Sequence, residues 1–144
     1  MHKYLILPVF VTCILLSLAK KDACAEGRRA TVWNGVYSKI QALRGRRIYD
    51  QSCAQCHGAL LNGTSEAPPL AGEEFLSNFN GLTVGNLIDR TRKTMPLNEP
   101  GSLNRSQYAD VTAFMLEMNG FPAGKVNLDP ESDRLKEILL TMRP

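Results

Sequence analysis

Apolar residues fall at helical spacing in three long stretches of this chain, each with its own start or stop signal. From Ser38 to Gln51 the apolar set is Ile40, Leu43 and Ile48, and the rest is largely Arg, Lys, Gln and Asp. That pattern predicts an amphipathic helix with those three residues inward. Gly45 sits in its middle, where glycine costs about 1 kcal/mol against alanine. A glycine kept there permits close approach of another helix, and Tyr49, four residues on, shares its face. Thr83 has N-cap character for a helix through about Arg92, with Val84, Leu87, Ile88 and Thr91 on one face and Arg90, Arg92 and Lys93 on a basic side. Asn104 and Gln107 form an N-cap and N3 pair. The helix they open carries Tyr108, Val111, Phe114, Met115 and Met118 on one face and stops at Asn119-Gly120, with Pro122 beyond.

Shorter elements fill the gaps. Glu73 to Asn78 reads as a short helix with Phe75 and Leu76 inward. Asp129-Pro130 is expected to start one more helix with Leu135, Ile138 and Leu139 apolar. Gly58 to Gly72 and Leu97 to Gly101 are loops, marked by Gly, Asn-Gly and Pro. The fold class expected is all-α.

The N-terminus changes the picture of where the chain works. Met1-His2-Lys3 is a short positive start, and Leu5 to Ala19 is an apolar run too short for a comfortable membrane span, which needs about 20 residues. Ala23-Cys24-Ala25 is an A-x-A cleavage site, with Ser17-Leu18-Ala19 a second candidate and an uncleaved anchor the alternative. Lys21-Asp22-Ala23 is a poor lead-in for a lipid-modified Cys24. Residues 1–25 are therefore expected to be a signal peptide, 26–37 an N-terminal arm, 38–121 the main domain and 122–144 a C-terminal extension. Trp33 is expected to pin the arm to the body. From Glu26 onward the chain carries 14 Lys+Arg against 13 Asp+Glu, so the full-length charge of +3 resides mostly in the leader. A nearly neutral body argues against nucleic acid as a partner.

The chemistry is concentrated in Cys53-Ala54-Gln55-Cys56-His57. Two thiols three residues apart with a histidine directly after are the attachment signature of a c-type haem. The thiols add across the two porphyrin vinyl groups, and the histidine follows as proximal iron ligand. A bare CxxC also suits a redox dithiol or half a zinc site. No βαβ pattern surrounds this one, and after the leader Cys53, Cys56 and His57 are the only Cys and His residues, one ligand short of a closed structural zinc site.

From Gly45 through His57 the chain resembles the first helix and haem motif of class I monohaem cytochromes c, and later motifs extend the likeness to about Gly120. The resemblance implies an all-α class I cytochrome c fold wrapped around one covalent haem c with its iron, to which this chain would add a C-terminal helix. It implies that Val111 and Phe114 meet Gly45 and Tyr49. It implies that the Pro68 carbonyl in Ala67-Pro68-Pro69-Leu70 accepts the His57 Nδ1–H, and that Leu70 packs on the ring. It implies a methionine as sixth ligand. Met95, 38 positions after His57 and followed by Pro96, suits that loop role, whereas Met115 and Met118 read as core and Met142 lies in the tail. Leu70, Ile48, Leu87 and Phe114 are expected to make the pocket apolar.

The function implied is single-electron transfer in the bacterial periplasm, without enzymatic activity and with no membrane span once the leader is cleaved. The partners implied are redox proteins. Thr83 to Met95, Pro100 to Ser102 and Asn119 to Pro122 resemble cytochromes that accompany quinoprotein dehydrogenases. That likeness suggests such a dehydrogenase as donor and an oxidase or another cytochrome as acceptor. A peroxidase-like haem enzyme and a gas-binding sensor with a labile sixth ligand are the alternatives. Arg90, Arg92 and Lys93 are either a docking rim or an ordinary solvated face, and the tail is either a packed helix or a docking element.

Overall fold

A computed structural model describes residues 29–142. The expected signal peptide, 1–25, lies outside the described residues, as does the start of the arm. Five helices follow in order: α1 Lys39–Ser52, α2 Ala54–His57, α3 Glu73–Phe79, α4 Val84–Thr94 and α5 Arg105–Met118. Single 3-10 turns at Val32–Asn34 and Asp133–Lys136 lie before and after them. Among the described residues there is no β-strand, only isolated bridges. None of the described helices is long and apolar enough to cross a membrane.

The frame is the crossing of α1 and α5. Both helices open on capping side chains: Ser38 accepts from the Gln41 N–H, and Asn104 and Gln107 form a reciprocal box. Gly45 is the point of closest approach. A Cβ there would stand 1.8 Å from the Asp110 carbonyl oxygen, so only glycine lets the two backbones meet. One turn on, the rings of Tyr49 and Phe114 lie 5.3 Å apart. Arg44 reaches across and grips Asp110 with two bonds of 2.8 Å. From Tyr108 to Leu116 every residue of α5 is buried, as expected of a central helix enclosed on all sides.

That crossing corrects the face expected for α1. Ile40 and Leu43 are 68% and 52% exposed, and the buried residues are Gln41, Ala42, Gly45 and Tyr49. Close approach selects small side chains over large ones. Gln41 is tolerated inside because both ends of its amide are satisfied: Nε2 donates to the Leu128 carbonyl at 3.0 Å and Oε1 accepts from the Leu128 N–H at 2.7 Å.

The tail is the second correction. Asp129-Pro130 does not start an α-helix; the chain makes one 3-10 turn at Asp133–Lys136 and then runs extended. Its main chain finds partners on both sides instead of within itself. Leu139 donates to Ala30 and accepts from Val32, at 2.9 and 3.0 Å, while the Val84 N–H bonds Ile138 O at 2.9 Å and the Leu140 N–H bonds Leu82 O at 2.8 Å. Leu135, Ile138 and Leu140 are the buried residues, a spacing that no single helix face provides. The tail thus clasps the N-terminal arm to the start of α4. Trp33 secures it, packing edge-on against Phe121 with centroids 4.9 Å apart and donating from Nε1 to Thr141 O at 3.0 Å. Nearby, the Tyr37 hydroxyl donates to Phe121 O at 2.6 Å, and burial, aided by the Glu117 carboxylate, pushes that phenol up to about 12.

Candidate haem-binding site

Helix α1 runs straight into the CxxCH stretch and changes direction at Cys53. That residue leaves helical geometry (φ −129°, ψ −36°), still donates to Tyr49 O at 2.8 Å, and accepts from the N–H groups of Cys56 and His57 at 3.2 and 3.0 Å. It therefore ends one helix and opens the single turn of α2. Both thiols are unpaired and half-buried, and His57 is buried. Burial, and secondarily the neighbouring Cys56, pushes the Cys53 thiol up to about 11. A redox dithiol works through a thiolate of lowered pKa, so this shift runs against that reading. No three His, Cys, Asp or Glu side chains among the described residues gather where they would hold a metal ion, as a zinc site requires.

The loop after His57 folds back on the motif. Gly58 has φ +79°, and a Cβ there would lie 2.5 Å from Asn62 Oδ1. Its carbonyl accepts the Tyr49 hydroxyl at 2.7 Å. Leu61 is fully buried at φ +59°, a left-handed conformation that costs a non-glycine residue about 1–2 kcal/mol. It is held there because its carbonyl takes the N–H groups of Leu70 and Ala71, at 2.8 and 3.1 Å. Gly63 N–H bonds His57 O at 2.9 Å, and Thr64 Oγ1 donates to Cys56 O at 2.6 Å.

The result is that the Pro68 carbonyl meets His57 Nδ1 at 2.8 Å. A carbonyl only accepts, so Nδ1 donates, which leaves Nε2 as the nitrogen available to a ligand site. Leu70 lies half-buried against the core. Asn119, at the end of α5, closes the loop from the far side. Its Nδ2 donates to Leu70 O at 3.0 Å and its Oδ1 accepts from Gly72 N–H at 3.0 Å. Asn119 was legible in the sequence only as a helix stop.

Met95 is the first residue after α4, in extended geometry (φ −131°, ψ 153°) and half-buried. Its N–H donates to Thr91 O at 2.8 Å, and its carbonyl accepts the Tyr108 hydroxyl at 2.7 Å and the Gly101 N–H at 3.4 Å. Nothing in the spacing of residues pointed to Tyr108 in this place. Of the three cations on α4, Arg90 lies 5.6 Å over the Phe79 ring and Arg92 stands 3.8 Å from Asp89. Lys93 is exposed and forms no ion pair among the described residues. Leu87 and Phe114 are buried and Ile48 is half-buried against the core, while Met115 is buried in α5 and Met142 is 46% exposed.

This donor set fits a covalent c-type haem. Two free thiols on one turn suit two thioether bonds and an oriented imidazole offers Nε2, while Met95 follows α4 with its main chain tethered to α5.

Residues 41–115, slightly more than half of the chain, match the family model described as cytochrome C oxidase, cbb3-type, subunit III. The match begins on α1 and ends in α5, so it takes in Cys53, Cys56, His57, Pro68, Leu70 and Met95. No curated protein matches the chain. The crystal structure of the sulfane dehydrogenase SoxCD from Paracoccus pantotrophus is similar, with a TM-score of 0.53 and 21% identity over 81% of this chain and 68% of that one. At that identity the likeness speaks for the fold.

Proposed function

The chain belongs to the family of cytochrome C oxidase, cbb3-type, subunit III, which makes it a class I monohaem c-type cytochrome with covalently bound haem c, and from that premise we propose that it carries single electrons between redox proteins in the periplasm. The observation that carries this reading is the fixed His57 ring, with Nδ1 on the Pro68 carbonyl and Nε2 left for iron. When bound, the haem supplies a one-electron Fe(II)/Fe(III) couple, whose potential a Met/His ligand pair raises. Cys53 and Cys56 would hold it by thioether bonds, and His57, made more basic by its bond to Pro68, would ligate the iron. Leu70 would pack against the group, and Met95 would be the second protein ligand. Two protein ligands would leave the iron no need of a substrate pocket, which favours a carrier over an enzyme. Residues 1–25 act as the export signal, and a quinoprotein dehydrogenase is the proposed donor, with an oxidase or another cytochrome as acceptor.

The test is spectroscopic and chemical. Acid–acetone treatment of the holoprotein should leave the haem on the chain, and replacing Cys53 or Cys56 should weaken or abolish maturation. The oxidised protein should show the methionine–iron charge-transfer band in the near infrared. Met95→Ala should lose that band, lower the potential and admit cyanide or CO. Extractable haem would sink the covalent assignment. A Met95→Ala protein with the parent's potential and ligand binding would sink the assignment of Met95 as ligand.

A further inference from the structure

We propose that Tyr108 is a positioning residue for the distal ligand: its hydroxyl anchors the Met95 main chain and so sets how readily the sixth axial position opens. The proposal rests on Met95 as that ligand. A methionine side chain has three rotatable bonds and adapts easily, so the place of its thioether depends on how firmly its main chain is held. Met95 has left the helix and leads into an exposed loop, in which Leu97 is 77% exposed. Three bonds tether its peptide groups. The one to Thr91 comes from the last turn of its own helix, where ends fray, and the one from Gly101 N–H is long, at 3.4 Å, and comes from the same loop. The Tyr108 bond is short, at 2.7 Å, and comes from α5.

Tyr108 is itself packed into the core. It is 1% exposed, in the first turns of the helix that the Gly45 crossing ties to α1. Its own carbonyl accepts Thr112 Oγ1 at 2.9 Å. One helix therefore references both sides of the site. It meets α1, which ends in the CxxCH turn, at Asp110, and it meets the distal ligand's main chain through Tyr108.

The molecule contains its own control. Tyr37 is equally buried, at 1% exposure, and its hydroxyl donates to a main-chain carbonyl, Phe121 O, at 2.6 Å, in the clasp of arm and tail. Tyr37→Phe removes the same atom and the same kind of bond as Tyr108→Phe. A merely structural role for Tyr108 predicts the same consequences from both.

The experiment compares the two variants and the parent as holoproteins. The readouts are the near-infrared band, imidazole affinity of the ferric form, and the melting temperature. Both variants should melt lower than the parent by similar amounts. Only Tyr108→Phe should weaken the band and bind imidazole about tenfold more tightly, a factor worth about 1.4 kcal/mol. Imidazole affinity alike in the two variants overturns the proposal. A Met95→Ala protein that keeps the band signals instead that the ligand assignment has failed. Should Tyr108→Phe mature poorly, a ring-fluorinated tyrosine placed at position 108 retains the ring and strengthens the hydroxyl as donor. Imidazole binding should then fall below the parent's, and an unchanged affinity counts against the proposal.

Discussion

The two sides of the candidate site are held by different kinds of structure. The His57 side is built mostly from short-range bonds, with Asn119 closing its loop from the end of α5. Tyr49 to Gly58, His57 to Pro68 and Thr64 to Cys56 span 9, 11 and 8 residues of chain. The Met95 side depends on contacts between separate elements. Tyr108 holds Met95 from α5, and α4 itself is fastened by a tail whose bond from Val84 N–H to Ile138 O closes a loop of 54 residues. Loop-closure entropy makes the longer loop about 1.4 kcal/mol costlier to close than the 11-residue one. The His57 ring is therefore positioned largely by its own neighbourhood, and the Met95 main chain is held through contacts between α4, α5 and the tail, each of which can yield. With Met95 as the proposed sixth ligand, that ligand should be lost before His57.

The largest expected effect removes the frame that both sides share. Gly45→Ala places a methyl carbon against the Asp110 backbone, which cannot rotate away. Overpacking of that kind costs about 3 kcal/mol or more, well beyond the roughly 1 kcal/mol that alanine gains in helix propensity. Chemical denaturation of the holoprotein should show the loss. A midpoint matching the parent would mean that α1 and α5 are not in this contact.

A smaller change should reach the proximal loop. Asn119→Ala leaves the Leu70 carbonyl and the Gly72 N–H without their partner, at about 1–3 kcal/mol. The expectation is a lower melting temperature and shifted NMR resonances of the His57 ring, with the near-infrared band retained. Loss of that band before any proximal change would reverse the proposed ranking of the two sides.

The smallest effect concerns the distal rim. Arg90 and Arg92 already have local partners in Phe79 and Asp89, and cations in a last helical turn are favourable in any helix. If this face nevertheless steers a redox partner, Arg92→Glu with Lys93→Glu slows the second-order rate several-fold at low ionic strength, and salt narrows the difference. Stopped-flow mixing with the physiological partner measures it, and equal rates at low salt would leave these residues as solvated surface.

Local order was readable from the chain because local chemistry produces it. The caps at Thr83 and Asn104, the stop at Asn119-Gly120 and the spacing of Cys53, Cys56 and His57 all act within one or two helical turns. The contact between Pro68 and His57 was legible through family likeness, and it too lies within a short loop. Burial of α1 was misread because periodicity weighs side chains by size, whereas the packed face was chosen by how closely α5 approaches at Gly45. The tail was misread because apolar residues near Pro and Asp suggest a helix start, whereas its N–H and C=O groups were taken by Ala30, Val32, Leu82 and Val84. No local pattern carries that information, since those partners lie more than 50 residues away. Asn119 reaches Leu70 and Gly72 across 49 and 47 residues, and Tyr108 reaches Met95 from a separate helix 13 residues on, so neither role shows in a local pattern. By itself the sequence determined the helices and the chemistry of the haem motif, through bonds that each element makes with itself. Only the tertiary structure decided which faces are buried and what holds Met95, because those depend on backbones meeting across the fold.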